Sequence, residues 1–322
     1  GRSRTMGDRY EIPIVLQVFN RPEPTRKALD IILAARPRTL FVIADGPRRD
    51  RGAEADACRA TRAIFDALPG DVEVHRLFSD ENMGMRRRFA SGLDAVFEQV
   101  EHAVILEDDC LAHPTFFPYC AALLERFAHD ERVAAITGSN TQQGRQSAEA
   151  RAYSYCFSLV GLPWGWATWR RAWASYDADL SLWPSLRRSG WLRDRLGHVA
   201  GGQWERVLGS ADEVDSWWIR WSMSLWAHGR LAVVPRVNLV TNLGGKPLPG
   251  EATEAAMAAR FGNLPTQAIE SPLQHPPYMV RDPVSERRVL ESMLPWSSVG
   301  RTVRQVLIEG HGTLRRFLPG GQ

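Results

Sequence analysis

Residues 103–109 constrain this chain more than any other segment: the apolar run Ala103, Val104, Ile105, Leu106 passes directly into three consecutive carboxylates, Glu107, Asp108 and Asp109. Burying like charges at the end of a strand is costly unless a cation or strong donors compensate them. A divalent cation is therefore the economical expectation, held by the hard oxygen donors such ions select. Side chains alternate along extended backbone, so neighbouring carboxylates can serve different ligands, one a metal and another a ribose or base. Taken alone, the same three residues also suit a solvated acidic loop.

The surrounding pattern predicts where that segment sits. Apolar, β-branched runs at 12–19, 40–44, 72–78, 103–106 and 133–137 alternate with segments at 23–35, 53–68, 83–100 and 115–129 whose apolar residues recur at helical spacing. Such alternation predicts an α/β fold, a Rossmann-like mixed and mostly parallel central sheet flanked by helices. In open sheets of this kind ligands bind beyond the carboxyl ends of the strands. Here those positions carry Asn20 and Arg21, Asp45 and Gly46, residues 79–84, and the acidic triplet.

Several of these residues have a specific chemistry to offer. Asp45, at a tight turn, can accept hydrogen bonds from a base or ribose, and Arg21 can lie against a base or phosphate. Asn82 can cap the following helix, and Gly84 permits close backbone approach to a ligand. Of Arg86, Arg87 and Arg88 one or two can turn inward towards a pyrophosphate at the helix N-terminus. Further along, Asp215 stands beside Trp217 and Trp218, a setting that would raise its pKa towards that of a general base. It equally suits a cap on the helix that follows, and Glu213 is the fallback base. His275 is a lone histidine, an ordinary surface or core residue unless it touches the metal or diphosphate.

The second half changes character, with most of the twelve tryptophans between residues 153 and 226. Aromatic density usually means core, but sugars also stack on aromatic faces. No long polar linker divides the chain. The expectation is one domain over 9–295, with halves at 9–138 and 139–295. Residues 1–8 stand outside it as a disordered stretch or an artificial extension, and an amphipathic helical tail follows at 296–322. Charge excludes one class of partner: 40 basic against 37 acidic residues, a formal net charge of +3, provide no field to recruit nucleic acid. Four cysteines without C-x-x-C spacing argue against structural zinc and a disulfide framework and read as reduced, mostly buried thiols. No apolar run approaches bilayer-spanning length, so a cytoplasmic protein is expected. Its basic, apolar tail either rests on the inner face of an anionic membrane or, as the more ordinary expectation, packs on the body of the protein.

Residues 13–22, Asp45 with Gly46, residues 82–84, residues 106–110 and residues 163–169, taken in order, resemble a bacterial group of GT-A glycosyltransferases related to the N-acetylglucosaminyltransferase I family. The resemblance spans about residues 12–280. It implies a GT-A fold with a nucleotide-sugar half and a tryptophan-rich acceptor half. It also implies inverting, single-displacement transfer from a nucleotide-sugar donor with manganese or magnesium. A UDP-sugar is favoured, UDP-N-acetylglucosamine among them, and the acceptor would be a hydroxyl of a glycan, glycolipid or small molecule. By the same resemblance Asp109 would be the metal ligand within the Glu107, Asp108, Asp109 motif, Arg21 the strand-end arginine, Asp45 the nucleotide-contacting aspartate and Asp215 the general base. The family's Trp-Asp-Asp-Trp setting reads here Val214, Asp215, Ser216, Trp217, and Trp218 replaces a further aspartate common in the group. Residues 236–245 also resemble it, but the histidine of the family's continuation is absent from residues 251–254. Two alternatives remain. A nucleotidyltransferase would want a glycine-rich basic loop after the first strand, where this chain has Phe19, Asn20, Arg21 and Pro22, and a non-catalytic nucleotide- or glycan-binding module would use the tryptophans alone.

Overall fold

The computed structural model describes residues 9–142, 144–244 and 261–293. The tail at 296–322, the segment 251–254 and residues 1–8 lie outside the described residues. In chain order the elements are β1 (Ile14–Val18), α1 (Pro22–Ala34), β2 (Thr39–Ala44), α2 (Gly52–Ala63), β3 (Glu73–Phe78), α3 (Met85–Phe97), β4 (His102–Glu107), β5 (Cys110–Ala112), α4 (Phe116–Arg126) and β6 (Val133–Thr137). After them come α5 (Ala148–Arg151), β7 (Tyr155–Ser158), β8 (Trp166–Trp169), α6 (Arg170–Trp173), α7 (Trp183–Arg188), α8 (Trp191–Leu196), α9 (His198–Gly209), α10 (Trp217–Ala227), β9 (Leu231–Pro235), β10 (Val240–Asn242) and α11 (Pro283–Met293).

Eight strands form one mixed sheet in the order β3-β2-β1-β4-β8-β6-β9-β7. From β3 to β4 every pairing is parallel. The next strand, β8, runs antiparallel to both β4 and β6, so a strand from the second half of the chain is wedged between two from the first. Beyond it β6 and β9 are parallel, and β7 closes the edge antiparallel to β9. A separate ribbon pairs β5 with β10 and braces the turn that carries the acidic residues.

Strands covered on both faces read as near-continuous apolar runs, and β1, Ile-Val-Leu-Gln-Val, is buried throughout, with Gln17 its one polar residue. Alternation divides its side chains between two cores. Ile14, Leu16 and Val18 join Leu40, Val42, Val104 and Leu106 under α1 and α4, against Ala28, Leu29, Ile32, Phe116 and Leu123. Val15 joins Phe41, Ile43, Ala103 and Ile105 under α3, against Phe89, Leu93 and Val96.

The tryptophans extend this second core. Trp217 stacks on Phe89 with centroids 3.9 Å apart and on Trp166 at 5.3 Å, and Trp173 packs against Trp166 and Trp221. These rings are buried, so they serve packing, and removing one such side chain typically costs about 3–5 kcal/mol. All four cysteines are free thiols, three of them buried. Among the described residues no helix is long and apolar enough to cross a membrane.

Candidate functional site

The parallel half of the sheet places Arg21, Asp45 and Asp108 just past the carboxyl ends of β1, β2 and β4. Adjacent strands lie about 4.8 Å apart, so these backbones gather along roughly 10 Å of one sheet edge. Arg21 forks onto both aspartates. It meets Asp108 through Nε at 3.3 Å and through a second, shorter Nη2 contact. It meets a single oxygen of Asp109, Oδ2, through Nη1 at 3.3 Å and Nη2 at 3.2 Å. The side chain of Asp108 is 3% exposed, that of Asp109 15% and that of Arg21 36%.

Burial pushes the carboxyl of Asp108 up to about 6, helped by the like charge of Asp109 and opposed by Arg21 and the Phe19 amide. Burial opposes the charge of Arg21 as well, but Asp108 and Asp109 hold its guanidinium protonated, well above its usual range. The contact itself favours the ionised pair on both sides, since Arg21 draws the Asp108 carboxyl down while Asp108 and Asp109 draw the guanidinium up. Arg21, never deprotonated in proteins, is firmly a cation, and the upward direction on Asp108 reflects how thoroughly that carboxylate is removed from water.

The second cluster is built on Asp45. Its carboxylate, buried at 6% exposure, accepts the backbone amides of Gly46 at 2.9 Å, Met83 at 2.9 Å and Gly84 at 3.0 Å, and the Asn82 side-chain amide at 3.1 Å. Burial pushes this carboxyl up while those amides pull it down. Gly46 has no room for a side chain, since an added Cβ would fall 2.5 Å from the carbonyl carbon of Glu81. Asp45 thus organises the 82–84 loop, and its acceptor capacity goes largely to that loop.

The loop delivers Gly84 to the N-terminus of α3 at φ +79°, and there Asp215 arrives from the far half of the chain. Its Oδ2 accepts the Met85 amide at 2.7 Å and its Oδ1 the Arg86 amide at 2.9 Å. The sequence suggests Asn82 as the cap of α3 and Asp215 as a possible cap of α10, and the structure corrects both. Asn82 instead bonds Asp45 and the Gly46 carbonyl, and Asp215 caps α3 while Ser216 stands at the start of α10. Asp215 itself is solvent-exposed, beside the equally exposed Glu213. The neighbouring rings are engaged elsewhere, Trp217 on Phe89 and Trp218 donating to the Gly161 carbonyl.

The remaining predicted residues divide. Asn20 donates to Glu54 at 3.2 Å, which also takes Arg48 through Nε at 3.0 Å. The Arg48 guanidinium lies 5.7 Å from the Phe19 ring centroid, so Arg48 and Glu54, unmarked in the sequence, join the site. Arg87 is exposed, and the arginine that turns inward is Arg88, which donates to the carbonyls of Ala44 and Leu77 and ties the ends of β2 and β3 together. Arg62 does the same for the carbonyls of Asp45 and Ser79. Glu107 is partly buried at the end of β4. His275 is not brought to the acidic residues: its Nδ1 lies 3.1 Å from the hydroxyl of Tyr155 on the edge strand β7, and burial and Arg126 push its pKa down.

A divalent cation can be tested against these donors. Among the described residues no three His, Cys, Asp or Glu side chains converge to hold a metal by themselves. Arg21 holds both oxygens of Asp108, which also takes the Phe19 amide, but only one oxygen of the more exposed Asp109, so Asp109 is the more available carboxylate. One carboxylate completed by water and diphosphate oxygens is a coordination that magnesium accepts. The residues therefore fit a cation that arrives with a diphosphate, and not one caged by protein alone.

No protein-family profile matches the chain, and no curated protein matches it. Among solved structures, HddC from Yersinia pseudotuberculosis superposes with a TM-score of 0.31 at 6% identity, covering 50% of this chain and 77% of that one. A UDP-glucose pyrophosphorylase complexed with UDP-glucose superposes with a TM-score of 0.25 at 11% identity, covering 47% of this chain and 64% of its own. At these TM-scores neither likeness bears on function.

Proposed function

We propose that this chain is a GT-A-type glycosyltransferase that moves a sugar from a nucleotide-sugar donor, a UDP-sugar by the resemblance, to an acceptor hydroxyl with inversion. The observation that carries the reading is the convergence, on one edge of the parallel sheet, of the Arg21, Asp108, Asp109 cluster with the Asp45-held loop and an exposed carboxylate, Asp215, from the other half of the chain.

Arg21 supplies a fixed positive charge for the diphosphate, where negative charge accumulates as the glycosidic bond breaks. Asp109 would hold a manganese or magnesium ion, which when bound adds Lewis-acid stabilisation of the leaving diphosphate. The loop at 82–84 offers close backbone approach beside the base and ribose. Asp215 takes the acceptor's hydroxyl proton as that oxygen bonds to the anomeric carbon and the nucleoside diphosphate departs. Its two amide bonds use one acceptor site on each oxygen, and its exposure leaves the remaining lone pairs open to the hydroxyl.

The test is incubation with a panel of UDP-sugars and manganese or magnesium, following nucleotide release with and without simple sugar acceptors. Slow release of free UDP, accelerated by an acceptor, is expected. Pyrophosphate release from a nucleoside triphosphate and a sugar phosphate would instead indicate nucleotidyl transfer, and binding without turnover a recognition module.

A further inference from the structure

We infer that Arg21 is an internal stand-in for the divalent cation at Asp109, released to the diphosphate when donor and cation arrive together, so that the two ligands bind interdependently. The inference rests on the glycosyltransferase reading and adds to it an order of events and a role for one residue.

Two adjacent carboxylates at 3% and 15% exposure need a counter-charge in the unliganded protein, and the guanidinium of Arg21 bonds both. Its grip is unequal. On Asp108 it uses Nε and Nη2 against two different oxygens, a fork reinforced by the Phe19 amide on the same carboxylate. On Asp109 the contacts at 3.2 and 3.3 Å converge on one oxygen of the more exposed side chain. Asp109 is thus the partner that can be given up while the Asp108 fork keeps the arginine in place. The Nη1 donor freed in that exchange can turn towards a phosphate oxygen, an acceptor arginine recognises well.

The electrostatics then set the coupling. A cation approaching alone finds Oδ2 of Asp109 already bonded to Arg21, has only Oδ1 beside the Cys110 thiol at 3.6 Å left to it, and must sit beside a positive charge that has nowhere else to go. A nucleoside diphosphate alone finds Arg21 shared with two carboxylates. Together they satisfy every charge, with the cation on Asp109 and the diphosphate on cation and arginine. Linkage requires that each ligand tighten the other by the same factor, and here that factor is expected to be at least about tenfold, within the range typical of coupled sites.

The experiment measures manganese binding to the full chain by the electron paramagnetic signal of free manganese, with and without UDP, for the wild type, Arg21→Lys and Arg21→Gln. Wild type should bind manganese weakly alone and at least about tenfold more tightly with UDP. Arg21→Lys keeps a charge for buried Asp108 but cannot fork onto both carboxylates. It should bind manganese alone several-fold more tightly than wild type while its gain from UDP shrinks, and Arg21→Gln should do so more strongly. A merely structural arginine would leave manganese-alone affinity unchanged or weaker in the folded variants, and that result overturns the inference. So does wild type that binds manganese equally well without UDP, a readout that stands even if both variants fail to fold. Joint binding of UDP and manganese without these effects leaves the glycosyltransferase reading intact, whereas absence of any joint binding removes both.

Discussion

Oδ2 of Asp215 lies 2.7 Å from the amide nitrogen of Met85, the first residue of α3, across 130 positions of chain. A helix N-terminus leaves amides without intrahelical partners and favours negative charge, and this helix has no side-chain cap of its own. The second half of the chain therefore completes the secondary structure of the first, and does so with the carboxylate proposed as base.

The two roles of Asp215 separate by substitution. Asp215→Asn keeps an oxygen for one of the two amides and should lose only about 1 kcal/mol of stability. Donor affinity should persist while kcat for transfer falls by roughly 10²–10⁴. Paired measurement of UDP binding and acceptor-dependent turnover checks this, and unchanged kcat would move the base to Glu213.

Gly84→Ala should couple the loop to that carboxylate. The position has φ +79°, and an added Cβ would sit 2.8 Å from Asp215 Oδ2. Backbone strain of about 1–3 kcal/mol and displacement of Asp215 predict a lower Tm together with reduced transfer, read by thermal unfolding and by kcat on the same preparation.

Asp45→Ala should be the most destabilising change at the site. It strands the amides of Gly46, Met83 and Gly84, and leaving buried donors unmet costs about 1–3 kcal/mol each before relaxation and water entry. Chemical denaturation should show a loss of several kcal/mol, with weakened UDP binding in whatever remains folded. Stability within 1 kcal/mol of wild type, by the same scale, would mean that Asp45 does not organise the loop.

Asp109→Ala should fold normally and lose its response to metal. If Asp109 carries the cation, donor hydrolysis should fall by roughly 10²–10³, the loss of about 2.7–4 kcal/mol of charge stabilisation. Titration of turnover against manganese is the measurement, and an undiminished metal response would displace the assignment.

Glu286, in α11, offers a pH test remote from the acidic cluster. Burial pushes its carboxyl up, opposed by the Leu159 amide and Arg281, while Asp282 adds to the rise. A raised folded pKa means the native state holds the proton more tightly than the unfolded chain. Stability from this group is present below the unfolded value near 4.5 and is lost as pH rises through the folded value. Glu286→Gln keeps an acceptor for Leu159 and should flatten that decline, seen as a smaller fall in Tm from about pH 4.5 upward.

The parallel half of this fold was legible because it obeys local rules. The runs at 40–44, 72–78, 103–106 and 133–137 coincide with or lie within one or two residues of β2, β3, β4 and β6, and the segment 53–68 covers α2 and the 3-10 turn Ile64–Ala67. Strands β7, β8 and β9 escaped, because four or five residues among aromatic core positions carry no readable period, and their place in the sheet depends on partners far away in sequence. The site divides in the same way. Arg21, Asp45 and the aspartates announced themselves by following strands, but that Arg21 would fork onto residues 87 and 88 positions away is a tertiary fact. Arg88 could not be told from Arg87 by composition, although its step along α3 points it under the sheet with Phe89. Nothing in the sequence separates Glu54 and Arg48 from the other charges around α2, and their pairing beside Asn20 is likewise a tertiary fact.

Strand β8 has a consequence for how the chain must be made. Until residues 166–169 have left the ribosome, β4 and β6 present facing rows of unmatched backbone donors and acceptors, so a nascent chain ending near residue 138 would hold a half-built sheet open at its middle. Synthesis of this protein should thus pass through a window in which chaperone protection matters most, narrowing when the Trp166–Trp169 wedge slots home and closing when β9 covers the other edge of β6.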